Sequence, residues 1–330
     1  MLDAVDVATT FHTPDGPLRA VDGVSLTLAR GETLGIVGES GSGKSVLGRT
    51  LMGLITTNTA TTVSGSVTIG GQDVHALTPA GRRALWGTEV AMVFQDPMTS
   101  LNPVKKVGRH VAESVRLHLG LGRAASRERA VDLLRQVGIP EPARRARQYP
   151  HELSGGMRQR VVIAMALACD PRLLIADEPT TALDVTVQKQ ILDLLQHLGR
   201  ERRMATVLIS HDLATIADRT DRVAVMYAGR LVEHARTTEV FDRPRHPYSR
   251  ALIASIPHLD LPPHTPLPTI EGTPPNLLHP PTGCRFAPRC GAATDRCRRQ
   301  PPALEARADD PRGGTVACHH PLDVTQEVPA

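Results

Sequence analysis

The segment Gly38-Glu-Ser-Gly-Ser-Gly-Lys-Ser45 has the spacing G-x-x-x-x-G-K-[ST]. Small residues at Gly38, Ser40, Gly41, Ser42 and Gly43 let backbone N–H groups converge on phosphate oxygens. The N-terminus of a following helix adds its positive dipole end. Lys44 would reach the β- and γ-phosphates and the Ser45 hydroxyl would ligate Mg2+, with Val46 closing the same cradle. A Gly/Ser turn is the plainer alternative, but a preceding apolar strand and a following helix argue against it. Of the 38 basic residues only Lys44, Lys105, Lys106 and Lys189 are lysines. Position 44 thus keeps Lys in an arginine-rich chain, and a compact ammonium fits a phosphate cradle where a guanidinium fork does not.

A second constellation could polarise water. Leu173-Leu-Ile-Ala-Asp-Glu178 is an apolar run that delivers Asp177 and Glu178 at its end. Asp177 would hold Mg2+ through water, and Glu178 would activate an attacking water. Without a phosphate loop, the same pair would be ordinary strand-end solvation. Gln95 ends the run Val90–Phe94 and His211 follows Ala205–Ser210. Both stand where open α/β sheets bind ligands. Gln95 suits Mg2+ or the attacking water, whereas a lone histidine is more often structural. Leu153-Ser-Gly-Gly-Met157 opens a helical run. Ser154 is a good N-cap, and with the N–H groups of Gly155 and Gly156 it could face a second phosphate.

Five cysteines complete the inventory. Cys169 lies in an apolar helical run and reads as core. Cys284, Cys290, Cys297 and Cys318 are spaced C-x5-C-x6-C-x20-C. Four thiolates suit a cubane iron–sulfur cluster or Zn2+, and free thiols remain the third reading.

These residues need strands and helices to hold them. Leu2, Val5 and Val7, then Val21, Val24, Leu26 and Leu28, predict antiparallel strands around the turn at 13–17. Thr33–Val37, Val90–Phe94, Leu173–Ala176, Ala205–Ile209 and Val223–Met226 predict buried strands alternating with helices, hence a parallel α/β sheet. Val111–Leu119, Arg127–Val137 and Gly156–Ala168 predict a helical insert over about 100–168. Pro257–Pro281 is a proline-rich connector.

The chain has 330 residues, 38 Lys plus Arg against 34 Asp plus Glu, and 2% aromatics. Net charge of +4, scattered basic pairs and the lack of a stacking platform argue against nucleic acid. The longest apolar run, Val161–Cys169, is too short to span a bilayer, which takes about 20 residues. The first residues lack the pattern of a signal peptide, so a cytoplasmic protein is expected.

Taken together, the ordered set resembles the ATP-binding subunits of ABC transporters: the loop at 38–45, Gln95, LSGGM at 153–157, LLIADE at 173–178, Ala182-Leu-Asp184 and His211. Phe94-Gln-Asp-Pro-Met-Thr-Ser-Leu-Asn-Pro103, Gln148-Tyr-Pro-His-Glu-Leu-Ser154, His246-Pro-Tyr-Ser-Arg-Ala-Leu252 and Gly283-Cys-Arg-Phe-Ala-Pro-Arg-Cys290 point to the oligopeptide/dipeptide importer branch. Ser45-Val46 and Met98 look like its D-type subunit.

The resemblance implies a P-loop NTPase fold of ABC type: a RecA-like core with an antiparallel β subdomain and a helical insert. It implies a nucleotide-binding domain over 1–255, a connector over 256–282 and a cysteine tail over 283–330. It implies ATP and Mg2+, with catalysis by Glu178, His211 and Gln95, metal contacts from Ser45, Gln95 and Asp177, and adenine stacking on Phe11. The implied partners are a related F-type ATPase, or a second copy, in a head-to-tail dimer, two permeases and an extracytoplasmic binding protein. The place is then the cytoplasmic face of the plasma membrane, as a peripheral subunit. Segment 96–118 would meet a permease loop. Met157 departs from the family's usual Gln. In this branch the tail cysteines are a candidate 4Fe–4S site, with Zn2+ as the alternative. The rival readings are a soluble ABC-type ATPase of DNA repair or translation, and an importer of another solute such as nickel or glutathione.

Overall fold

The computed structural model describes residues 1–96, 100–181, 183–256, 268–307 and 313–323. The sequence features at Met98 and Ala182, and part of the connector (257–267), lie outside the described residues. The strands are β1 (Leu2–Thr13), β2 (Gly16–Leu28), β3 (Thr33–Val37), β4 (Thr61–Ile69), β5 (Gln72–Asp73), β6 (Val90–Val93), β7 (Leu173–Asp177), β8 (Ala205–Ser210), β9 (Arg222–Tyr227), β10 (Arg230–Arg236), β11 (Glu305–Ala306) and β12 (Thr315–Val316). The chain divides into two compact units.

The first unit comprises residues 1–3, 27–32 and 67–209. In it β6, β7 and β8 run parallel, with Val90 opposite Leu173 and Asp177 opposite Ile209. All residues of β6 and β7 are buried, as expected of parallel strands covered on both faces. Helices Val107–Leu119, Arg123–Gln136, Gly155–Ala166 and Val185–Arg202 belong to this unit. Val111, Val115, Leu133, Leu134, Val161 and Ile163 share one core with Leu174 and Ala176 of β7. The first of these helices starts four residues earlier than the apolar spacing predicts. Among the described residues no side chain caps it. Instead the N–H groups of Val107 and Gly108 donate to the carbonyls of Gln148 and Ala146, at 2.9 Å each. A tertiary contact thus supplies the acceptors that a cap would otherwise provide.

The second unit comprises residues 4–26, 33–66 and 210–330. One sheet places β1 between β2 and β4. The other runs β11-β12-β10-β9-β3. Strands β3 and β9 pair in parallel, with Val37 opposite Val225. Strand β10 returns antiparallel to β9 through a tight turn at Ala228 and Gly229, both at positive φ. Its sequence RLVEHAR does not alternate, so it escapes a pattern reading. It is buried because Glu233 accepts from the N–H groups of Arg245 (2.8 Å) and His246 (2.9 Å) and pairs with Arg307 at 3.2 Å. The tail then adds β12 to the far side of β10, pairing Glu233 with Val316. Tyr227, Tyr248 and Phe286 cluster with ring centroids 4.6–5.3 Å apart, which brings a tail residue into the core of this unit.

Candidate functional site

In the second unit, β3 ends at Val37 and the chain turns through Gly38–Gly43 into the helix Lys44–Leu51. A Cβ on Gly38 (φ 150°) would lie 2.1 Å from the carbonyl of Met226, and one on Gly43 (φ 98°) 2.2 Å from that of Ala20. Only glycine fits at either position. Lys44 is buried, and its Nζ donates to the carbonyls of Gly38 (2.7 Å) and Glu39 (2.9 Å) and to Ser42 Oγ at 3.5 Å. Ser40 and Gly41 are exposed at the crest, while Ser45 and Val46 are half-buried in the first helical turn. Phe11 is half-buried on β1.

Two contacts to this loop escaped sequence reasoning. The Glu39 N–H donates to Tyr248 Oη at 2.9 Å, and the Glu39 carboxylate takes both arms of the Arg289 guanidinium at 2.7 and 3.0 Å. Glu39 stands at an unconstrained position of the loop motif, and its partners lie 209 and 250 residues away. Nothing local signals either pairing.

Asp177, Glu178, Gln95 and Ser154 belong to the first unit. Asp177 is fully buried at the end of β7. Glu178 follows in the left-handed region (φ 45°), where a side chain is strained. Its N–H donates to the carbonyl of Ile209 at 3.0 Å. Its Oε2 accepts from Gln95 Nε2 at 3.0 Å and from Thr181 Oγ1 at 3.1 Å. Gln95 and Glu178, 83 positions apart, are therefore joined directly, and Thr181 is an addition the sequence did not suggest. Ser154 caps the helix Gly155–Ala166, its Oγ accepting from Met157 N–H at 3.3 Å. Ser154 and Gly155 are exposed. A Cβ on Gly156 would come within 2.7 Å of Val187 Cγ1, so a larger residue would push this helix off its neighbour. His211 is exposed just beyond β8.

Cys169 lies in the core of the first unit, its thiol near the Ser114 carbonyl at 3.6 Å. The tail cysteines behave differently. Cys284, Cys290, Cys297 and Cys318 line one small cavity together with His246, Phe286, His319 and His320. Burial pushes up the thiols of Cys284 and Cys290, and that of Cys318 to about 11. Among the described residues, however, no three His, Cys, Asp or Glu side chains group so as to hold a metal ion. The expected iron–sulfur or zinc site is therefore not formed in this arrangement. His246 is buried and neutral, burial alone lowering its pKa to about 3. Its Nδ1 accepts from Tyr248 N–H at 3.0 Å, which puts the proton on Nε2. Among the described residues that buried Nε2 has no hydrogen-bond partner.

Comparison with known proteins adds to this geometry. The family model for "ABC transporter" matches residues 21–181, and that for "Oligopeptide/dipeptide transporter, C-terminal region" matches residues 232–297. The chain is 48% identical to the dipeptide transport ATP-binding protein DppD of Escherichia coli, over 98% of this chain and 97% of that one. It is 49% identical to the oligopeptide transport ATP-binding protein OppD of Salmonella typhimurium, over 98% and 94%. Among solved structures it resembles the dimeric, ADP- and phosphate-bound ATP-binding cassette MJ0796. The TM-score there is 0.65 at 27% identity, over 72% of this chain and 99% of that one. CbiO1 from Clostridium perfringens gives a TM-score of 0.62 at 28% identity, over 73% and 90%.

Proposed function

The chain belongs to the ATP-binding subunits of peptide-type ABC transporters, and on that premise we infer that residues of both constellations bind and cleave the ATP that powers uptake of di- and oligopeptides. It is an ATPase by family. The observation that carries the catalytic reading is the Gln95–Glu178 hydrogen bond at the ends of the adjacent parallel strands β6 and β7. Glu178 takes a proton from the attacking water, and Gln95 holds that water and the carboxylate in register. Lys44 leaves its perch on the Gly38 and Glu39 carbonyls to meet the β- and γ-phosphates. The N–H groups of Gly38–Gly43 hold the phosphate oxygens. His211 steadies the γ-phosphate end, and Phe11 offers its ring to the adenine.

Ser45, Gln95 and Asp177 are all oxygen donors of the hard kind that Mg2+ prefers. When bound, Mg2+ neutralises charge on the β- and γ-phosphates.

The exposed Ser154 and Gly155 serve the ATP of a facing subunit in a head-to-tail dimer. The first N–H groups of a helix have no partner within it and suit an anion. The full assembly is this chain with an F-type ATPase or a second copy, two permeases and an extracytoplasmic binding protein, the permeases and binding protein selecting the solute. The nucleotide-binding domain covers 1–255, followed by the connector and the cysteine tail. Among the described residues no helix is long and apolar enough to cross a membrane, which accords with a subunit peripheral to its permeases.

A thiolate-ligated centre in the tail would require the four thiols to draw together from where they stand around the cavity. Four cysteines on one cavity are a complete ligand set, and the orphan N–H of His246 matches a sulfur acceptor. Cys284, Cys290, Cys297 and Cys318 would hold a 4Fe–4S cluster, or Zn2+ in its place, once deprotonated.

Uptake of a labelled dipeptide by cells lacking this chain tests the function. Restoration by the wild type and failure of Lys44→Ala support peptide import. Normal dipeptide uptake without the chain, with loss of nickel or glutathione uptake, turns the reading to another solute.

A further inference from the structure

We propose that Arg289 is a positioning residue of the phosphate loop: it fastens the cysteine-bearing tail to Glu39 and so sets how tightly the loop holds ATP. This role rests on reading 38–45 as the ATP site.

The pairing is bidentate. Arg289 Nη1 donates to Glu39 Oε2 at 2.7 Å and Nη2 to Oε1 at 3.0 Å, the planar fork that fixes both partners in orientation. The Arg289 side chain is only 5% exposed and Glu39 23%, so water screens the pair weakly. The guanidinium is itself held on the tail side, where Nε donates to the Glu271 carbonyl (2.8 Å) and Nη2 to that of Ile270 (3.0 Å). Its face lies 5.8 Å from the centre of the Tyr227 ring.

Glu39 is fixed at its backbone as well, by the hydrogen bond to Tyr248 Oη. The Glu39 carbonyl carries Lys44 Nζ at 2.9 Å, so a shift of Glu39 shifts the seat of the phosphate-binding ammonium. Charge adds to geometry. Without Arg289 the Glu39 carboxylate stands unneutralised in a loop that must accept a polyphosphate, and like charges there weaken binding. Arg289 immediately precedes Cys290. The cysteine cavity is thereby joined to the loop at Arg289, beside the packing of Phe286 on Tyr248.

The test is the ATP dependence of turnover in the purified transporter complex carrying the full-length chain, as wild type, Arg289→Ala, Glu39→Ala and the double variant. Arg289→Ala should raise KM for ATP about tenfold and leave kcat within about twofold, the mark of lost ground-state binding. In the Glu39→Ala background the same change should move KM by less than about twofold, because its partner is already gone. An equal KM change in both backgrounds overturns the proposal, as does a KM unmoved by Arg289→Ala. If Arg289→Ala does not fold, Arg289→Lys keeps the charge without the fork. An unchanged KM there overturns the proposal, and a raised one supports it. Binding of a fluorescent ATP analogue to the full-length chain separates this result from the premise. Wild-type binding abolished by Lys44→Ala leaves the ATP site standing whatever Arg289 does, and a wild type that binds no nucleotide fails the premise itself.

Discussion

Glu178 accepts a hydrogen bond from the amide of Gln95 across 3.0 Å, each residue standing just past the end of one of two adjacent parallel strands. Together with the hydrogen bond from Thr181 Oγ1 it fixes the direction of the carboxylate. It also explains why a strained backbone is tolerated at Glu178 (φ 45°), where the N–H is tied to Ile209.

Glu178→Gln is expected to retain ATP binding and lower turnover by about 10²- to 10⁴-fold, the usual loss on removing a general base. Single-turnover hydrolysis in the purified complex, with nucleotide occupancy measured in parallel, checks this. Turnover within threefold of wild type would shift the base to another residue, His211 first.

Ser154→Arg places a bulky cation on an exposed helix N-terminus whose first N–H groups are unpartnered within the helix. The isolated chain should bind ATP as the wild type does, while hydrolysis in the complex should stop. Loss of binding in the isolated chain would mean that Ser154 serves its own subunit's nucleotide.

His234 and His246 are buried, and desolvation lowers the pKa of each to about 3. Their folded values lie below the unfolded value of about 6.5, so the unfolded chain binds more protons between those limits. Stability contributed by the neutral rings is intact above pH 7 and lost as pH falls below about 6.5. Each should cost about 2 kcal/mol between pH 7.5 and pH 5. Urea unfolding at the two pH values checks it, and replacing His246 with Gln should flatten the slope by about half.

Protein purified without oxygen is expected to absorb broadly near about 400 nm and to carry about four irons per chain. Replacing Cys290 and Cys297 with Ser should bleach it and expose the tail to protease. Colourless anaerobic protein with one equivalent of zinc would replace the cluster with a structural zinc site. Metal-free protein with four titratable thiols would leave the cavity as it stands here.

The buried pair Glu233–Arg307 is a further stability test. Burial raises the Glu233 carboxyl even against the hydrogen bonds it accepts and the Arg307 charge. Arg307→Ala leaves that carboxylate buried without its cation and should destabilise the chain by about 3–5 kcal/mol in equilibrium unfolding. A change under about 1 kcal/mol would place the weight of β10 on its strand pairing instead.

The sequence by itself determined the chemistry-bearing segments and the strands that deliver them. The short apolar runs at 33–37, 90–94 and 173–176, each bounded by Gly or polar residues, read as buried strands, and only Phe94 departs, standing exposed beyond the end of β6. The G-x-x-x-x-G-K-S spacing is legible without the fold, and the fold adds why its glycines are required: Gly38 and Gly43 meet the carbonyl oxygens of Met226 and Ala20, which any Cβ would strike. Only the tertiary structure decided the rest. Strand β10 carries no alternation to read, and its Glu233 is buried against Arg307, 74 positions on. The helix at Val107 begins early because remote carbonyls cap it. The grip of Arg289 on Glu39 joins residues 250 positions apart whose local sequence carries no periodicity or motif in common. Periodicity reports which face of an element is buried, whereas a polar pairing depends on where two elements come to rest, which is a property of the packed chain.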